Sequence, residues 1–255
     1  MSILSGFADI SLAELLVVGC VALLASVLGG LAGYGTGALM PLVLVPLIGA
    51  EPVVPIIAIS AIFTNLGRSA AYLRYADRRR ALIVILAAGL TTALGAYGYT
   101  RLSNAGAALA IGAMLMSSVP LRRLASRRNI RIGDAGLTVG AAGYGIVVGG
   151  TSGSGVILLS LLMAAGLEGA AVIATDAMIS VATSIIKISV FGLAGVLTAQ
   201  VLAFALLIGA IALPGAFLAR AFVKRMPVHI HGAILDAAVI AGSMVIISTS
   251  LRQLW

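Results

Sequence analysis

The chain has 255 residues, of which 61% are apolar or aromatic and only 9% charged, with a formal net charge of +8. A soluble domain carries roughly 25% charged residues, and no polar stretch here is long enough to build one. The sequence therefore reads as an all-α polytopic membrane protein. Nucleic acid is excluded as the reason for the basic balance by where the charges sit. Twelve of the sixteen Lys and Arg fall in three clusters, Arg74–Arg80, Arg122–Arg131 and Arg220–Arg225, each between two apolar runs. That is how cytoplasmic loops look under the positive-inside rule.

In chain order, apolar segments can be drawn at 10–32, 36–50, 53–73, 81–100, 105–121, 133–150, 154–167, 170–191, 198–219 and 232–251. The first has no small-residue cleavage site after it and reads as a mature helix rather than a signal peptide. It carries the single cysteine, Cys20, for which an inert buried thiol is the default. Tyr72 and Tyr75 flank Arg74, Tyr97 and Tyr99 precede Arg101, and Trp255 closes the chain, as interfacial aromatic residues do.

If all ten segments cross, the three basic clusters share one face, and only Arg101 and Arg252 lie on the other. Both termini then face away from the cytoplasm. The weak points are 36–50 and 154–167, since about 14 residues rise only some 21 Å. Treating both as re-entrant leaves eight spans and moves the third basic cluster to the wrong face, so about ten transmembrane or partly spanning helices are expected. Five segments per half is an odd number, which inverts one half relative to the other. The expected organisation is a first repeat over 1–121, a basic cytoplasmic linker over 122–132 and a second repeat over 133–255.

Two glycine stretches mark equivalent places in the halves. Gly33-Tyr34-Gly35-Thr36-Gly37 precedes one short segment, and Thr151-Ser152-Gly153-Ser154-Gly155 precedes the other. Duplicated breaks of this kind are the best sequence pointer to a transport site. Glycine lets the chain turn and lets a ligand approach main-chain N–H groups. The helix starts that follow offer unsatisfied N–H groups and a positive dipole end, suited to an anion. Thr36, Ser152 and Ser154 add hydroxyl donors. Tyr34 and Tyr144 sit in glycine-rich surroundings, as site residues or as packing against glycine. The halves also match at Gly49-Ala50-Glu51 with Gly166-Leu167-Glu168, and at Ala58-Ile59-Ser60-Ala61 with Ala174-Thr175-Asp176-Ala177.

Polar stripes lie behind the glycines. Asp176, Ser180, Thr183, Ser184 and Lys187 fall on one helical face, and Ser60, Thr64 and Arg68 form a parallel stripe with Asn65 one step aside. Charges inside a bilayer usually face a cavity or a partner. Arg68 and Lys187 suit an anionic substrate, or snorkel to the interface. Asp176 either pairs with a cation or carries a coupling proton. No Asp, His or Cys cluster suggests a metal site, and no cofactor is expected.

The glycine cluster, Pro41 four residues after Gly37, and the Ala-x-Ser or Ala-x-Thr element resemble the sulfite exporter TauE/SafE family, also called the 4-toluene sulfonate uptake permease family. The resemblance covers nearly the whole chain. It implies multi-pass bacterial inner-membrane transporters of small sulfur anions: sulfite, sulfonates, sulfoacetate-like compounds or thiosulfate. The two glycine stretches would be the family's signature in each half. Two departures stand out: Leu159 occupies the place of Pro41 in the second half, and Asp176 stands where a small hydroxyl residue is more usual. A passive anion channel, or a transporter of another solute, is the alternative. An intramembrane serine protease at Gly150-Thr151-Ser152-Gly153 is disfavoured, because the only histidines, His229 and His231, lie at the edge of the last segment, far from a nucleophile that needs a base in reach.

Overall fold

A computed structural model describes residues 3–8, 10–32, 35–127, 131–215 and 228–252. Among these, ten α-helices form the structure and no strand occurs: α1 (Leu12–Ala32), α2 (Gly35–Ile48), α3 (Val53–Tyr72), α4 (Arg78–Tyr99), α5 (Asn104–Arg127), α6 (Asp134–Gly150), α7 (Gly155–Ala164), α8 (Ala170–Leu193), α9 (Ala199–Ala212) and α10 (Val228–Arg252). Five of them, α1, α3, α4, α5 and α8, are long and apolar enough to cross a membrane. The chain is a multi-pass membrane protein.

The boundaries follow local chemistry. Asp77 caps α4 by accepting from the Arg80 main-chain N–H at 2.9 Å, which also holds its carboxyl below the usual carboxylate range. Thr198 caps α9 in the same way. Gly49 and Gly166 end α2 and α7 with φ of +80° and +87°, the left-handed stop that glycine adopts without a Cβ penalty. The matched glycines of the two halves thus do the same job.

The segments drawn at 36–50 and 154–167 form helices of 14 residues (α2) and 10 residues (α7). Their rises of about 21 and 15 Å are shorter than the ~30 Å hydrocarbon core. α5 continues through Arg127, into the basic stretch 122–132.

Contacts sort the helix ends into two groups. At one end, Ala50 after α2 is clasped by Tyr99 at the end of α4 and by Asn104 at the start of α5, each at 2.6 Å. Tyr99 also meets Phe191 near the end of α8. At the other end, Arg79 of α4 pairs with Asp134 of α6 at 2.6 Å. There too, Ile132 donates to the carbonyl of Ala164, placing the end of α7 beside the start of α6. The α2 and α7 C-termini therefore lie at opposite ends of the bundle. The first basic cluster lies at the second end; the third, Arg220–Arg225, is outside the described residues.

Helix partners come in matched sets: α3 packs on α8, α5 on α10, α4 on α8 as α3 on α9, and α7 on α5 as α2 on α10. A close seam runs between α4 and α6, where small residues let backbones touch. A Cβ on Gly149 would lie 2.7 Å from the Ala96 nitrogen and 3.0 Å from the Gly95 Cα. By contrast, a Cβ on Gly143 of the same helix meets nothing within 4 Å. Gly149→Val is therefore expected to destabilise the protein by about 2 kcal/mol or more, with Gly143→Ala near neutral. Thermal unfolding in detergent checks the contrast; equal losses would contradict a backbone-close seam.

Candidate functional site

The two glycine stretches meet. The Ser152 hydroxyl donates to the Gly37 carbonyl at 2.6 Å, and a Cβ on Gly37 would stand 3.4 Å from the Gly153 nitrogen. α2 and α7 thus abut at their N-termini while their C-termini diverge to opposite ends. Pro41 explains why this carbonyl is available. Proline has no N–H, so the carbonyl four residues earlier, that of Gly37, loses its helical donor. Ser152 supplies one from the other half. Gly153 turns the chain with φ +83°, and a Cβ there would come within 2.6 Å of the Leu115 side chain.

Around this junction lies a cavity of about 110 Å³. A water needs about 10–15 Å³ on the same measure, so there is room for a small solvated solute. Gly35, Thr36 and Gly37 line it from α2, and Ser152, Gly153, Ser154 and Gly155 from the start of α7. Thr64, Asn65 and Arg68 line it from α3, and Ser180, Thr183, Ser184 and Lys187 from α8. The sequence thus brought fourteen of its candidates to one space. Ser60 is buried, donates to the carbonyl of Ile57 one turn back in its own helix, and is not among the residues lining the cavity. Gly33 and Tyr34 lie outside the described residues.

The free donors concentrate at the junction and on α8. Among the described residues, the hydroxyls of Thr36, Ser154, Ser180 and Ser184 make no hydrogen bond, although all four residues line the cavity. Thr183 and Thr64 instead donate to their own helix carbonyls at 3.2 and 3.1 Å. The Ser152 hydroxyl is committed to Gly37, so its bond goes to a main-chain carbonyl rather than to a base.

Both cations sit inside the bundle, with Arg68 7% and Lys187 6% exposed, so neither snorkels to an interface. Arg68 bonds the Asp176 carboxylate at 2.9 Å and the Asn65 side-chain oxygen at 3.0 Å. Asp176 is therefore a paired acid standing behind the lining rather than in it. Lys187 has no hydrogen bond or ion pair among the described residues. It is the cavity's uncompensated cation. This divides the two roles that the stripes had left equal.

Residues not singled out in the sequence complete the wall. Ser26 and Gly29 come from α1, Ile57, Ala58 and Ala61 from α3, and Val148 from α6. Tyr144, for which the sequence allows either a site or a packing role, is buried and lines the cavity too. Ser26 and Gly29 follow a one-turn small-residue spacing, the only signal that could have found them. The apolar wall residues carry none, since the whole chain is apolar.

Two variants follow from these contacts. Ser152→Ala strips the Gly37 carbonyl of its donor and is expected to cost about 1–3 kcal/mol. Adding Pro41→Ala restores a helical N–H and should recover part of it. Arg68→Met leaves the buried Asp176 unpaired and should cost about 3–5 kcal/mol, with Arg68→Met/Asp176→Leu losing less than either single change. Chemical unfolding of the purified variants measures both cycles, and additive losses in either would contradict the direct contact.

A family model described as Sulfite exporter TauE/SafE matches residues 18–246. No curated protein and no solved structure matches the chain. The match takes in all ten helices in whole or part, both glycine stretches and every cavity residue named above, and the chain belongs to the sulfite exporter TauE/SafE family of membrane transporters.

Proposed function

We propose that the protein is a secondary transporter that carries a small sulfur-containing anion across a bacterial inner membrane by alternating access. The candidates are sulfite, a sulfonate, a sulfoacetate-like compound or thiosulfate. The observation that carries this reading is the junction of two helix N-termini at one cavity. Each brings unsatisfied N–H groups and a partial positive charge, and the buried Lys187 ammonium faces the same space. Dipole ends, free hydroxyls and one cation together stabilise an oxyanion and repel a metal cation.

In this reading, residues 1–121 and 133–255 are inverted repeats joined by the basic linker 122–132. The matched helix pairings and the opposite-facing C-termini of α2 and α7 support it. The helices α1 with α2, and α6 with α7, act as hairpins that enter from opposite faces and meet at their tips. Because a hairpin adds no net crossing, all three basic clusters still share the cytoplasmic face. Both termini lie on the other one. The tips, with Thr36, Ser154, Ser180 and Ser184, hold the substrate through main-chain and hydroxyl donors, and Lys187 supplies the charge.

The test is binding followed by exchange. Purified protein is screened by thermal shift against sulfite, thiosulfate, sulfoacetate, taurine and acetate, then reconstituted for tracer counterflow. Stabilisation by sulfur anions that is reduced at least tenfold in apparent affinity in Lys187→Met, with saturable counterflow, is the expected result. Flux without saturation or counterflow would identify a passive channel instead. Binding of acetate alone would remove the sulfur-anion assignment.

A further inference from the structure

The charges at the cavity fix how many protons accompany the substrate. Among the described residues lining or backing it, three carry charge: Arg68, Asp176 and Lys187. Arg68 and Asp176 compensate each other across 2.9 Å, so among the described residues one net positive charge remains at the empty site, on Lys187. All three are buried, with Asp176 only 1% exposed. The empty cavity has room for water about the Lys187 ammonium, but a bound anion takes that room, and an uncompensated charge then left in so dry a place is costly enough that a titratable group neutralises.

We propose that this site is built to hold one net negative charge: a monoanion enters without a proton, and a dianion enters with one proton taken up at Asp176. The inference rests on the anion-site reading above and deepens it. A monoanion cancels the Lys187 charge and leaves the Arg68–Asp176 pair intact. A dianion brings one negative charge too many into the same space. The Asp176 carboxylate then takes one proton from water and becomes a neutral acid, and the Arg68 guanidinium, which lines the cavity, serves the anion instead. The one bond formed is the O–H of Asp176, its proton drawn from the solvent, and the sum of charges returns to zero.

The geometry favours Asp176 as the acceptor of that proton. Its Oδ2 holds Arg68, while Oδ1 has no hydrogen-bond partner among the described residues. The other titratable groups on elements packed near it serve less well. Lys187 is the cation being compensated, and Tyr144 of α6 is a phenol that already carries its proton at neutral pH. Asp77 is occupied with Arg80 at the start of α4. Arg74 and Tyr75 belong to the turn before α4 and stack on each other. α7 carries no titratable residue.

The experiment is titration calorimetry of the purified full chain at neutral pH, in two buffers of different ionisation enthalpy, which counts protons bound per anion. Methanesulfonate serves as the monoanion and thiosulfate as the dianion. About one proton per thiosulfate and about none per methanesulfonate is expected. Asp176→Asn keeps a hydrogen-bond acceptor for Arg68 and should abolish the thiosulfate-linked uptake. Lys187→Met removes the net charge and should make methanesulfonate take up about one proton, at weaker affinity. Equal uptake with the two anions, or thiosulfate-linked uptake that persists in Asp176→Asn, overturns the charge rule and leaves the anion site standing. Binding of neither anion overturns both.

Discussion

A single missing N–H organises this molecule. Pro41 cannot donate into its own helix, so the Gly37 carbonyl is left open one turn into α2. An open carbonyl in a membrane interior costs several kcal/mol unless something bonds it. Ser152, at the head of α7, does so. That bond pins two helix starts against each other, and the cavity, its hydroxyl lining and its positive dipole ends all follow from the contact. The departure at Leu159 becomes intelligible in the same terms. The clasp needs one orphan carbonyl and one hydroxyl, so proline in one half and serine in the other suffice, and the repeat has no reason to be equal there.

Much of this was legible because membrane chains advertise their organisation. The apolar runs marked where the helices lie, though α5 runs six residues past the segment drawn for it and α9 stops seven short, and the glycine pairs and polar stripes pointed to residues that share one cavity. What stayed hidden is what depends on depth and direction. Fourteen apolar residues look alike whether they traverse or turn back, and only the C-terminal contacts of Ala50 and Ala164 reveal that α2 and α7 leave by opposite ends. Ser60 shows the limit of a helical stripe. It sits one turn before Thr64, and both hydroxyls bond back to their own helix, yet only Thr64 lines the cavity.

Arg68 and Lys187 carry the same formal charge and occupy equivalent-looking ends of their stripes. A sequence stripe records which face a residue takes, not which partner it meets across the bundle. Asp176 lies 108 positions from Arg68, and no local pattern links them. Pairing makes the arginine a tie between α3 and α8, and leaves the lysine on the cavity wall with no ion pair among the described residues.

The seam between α4 and α6 bears on how such a molecule moves. These helices belong to different halves, yet their backbones touch through Gly95, Gly145 and Gly149. The corresponding pair, α1 and α9, is held through side chains, with Ile211 filling the space beside Gly19 and Ser26 bonding the carbonyl of Ala212. A backbone seam cannot slide without separating completely, whereas a side-chain seam can change rotamer and creep. The α4–α6 edge is thus the stiffer of the two, since touching backbones leave no side chain between them to change rotamer.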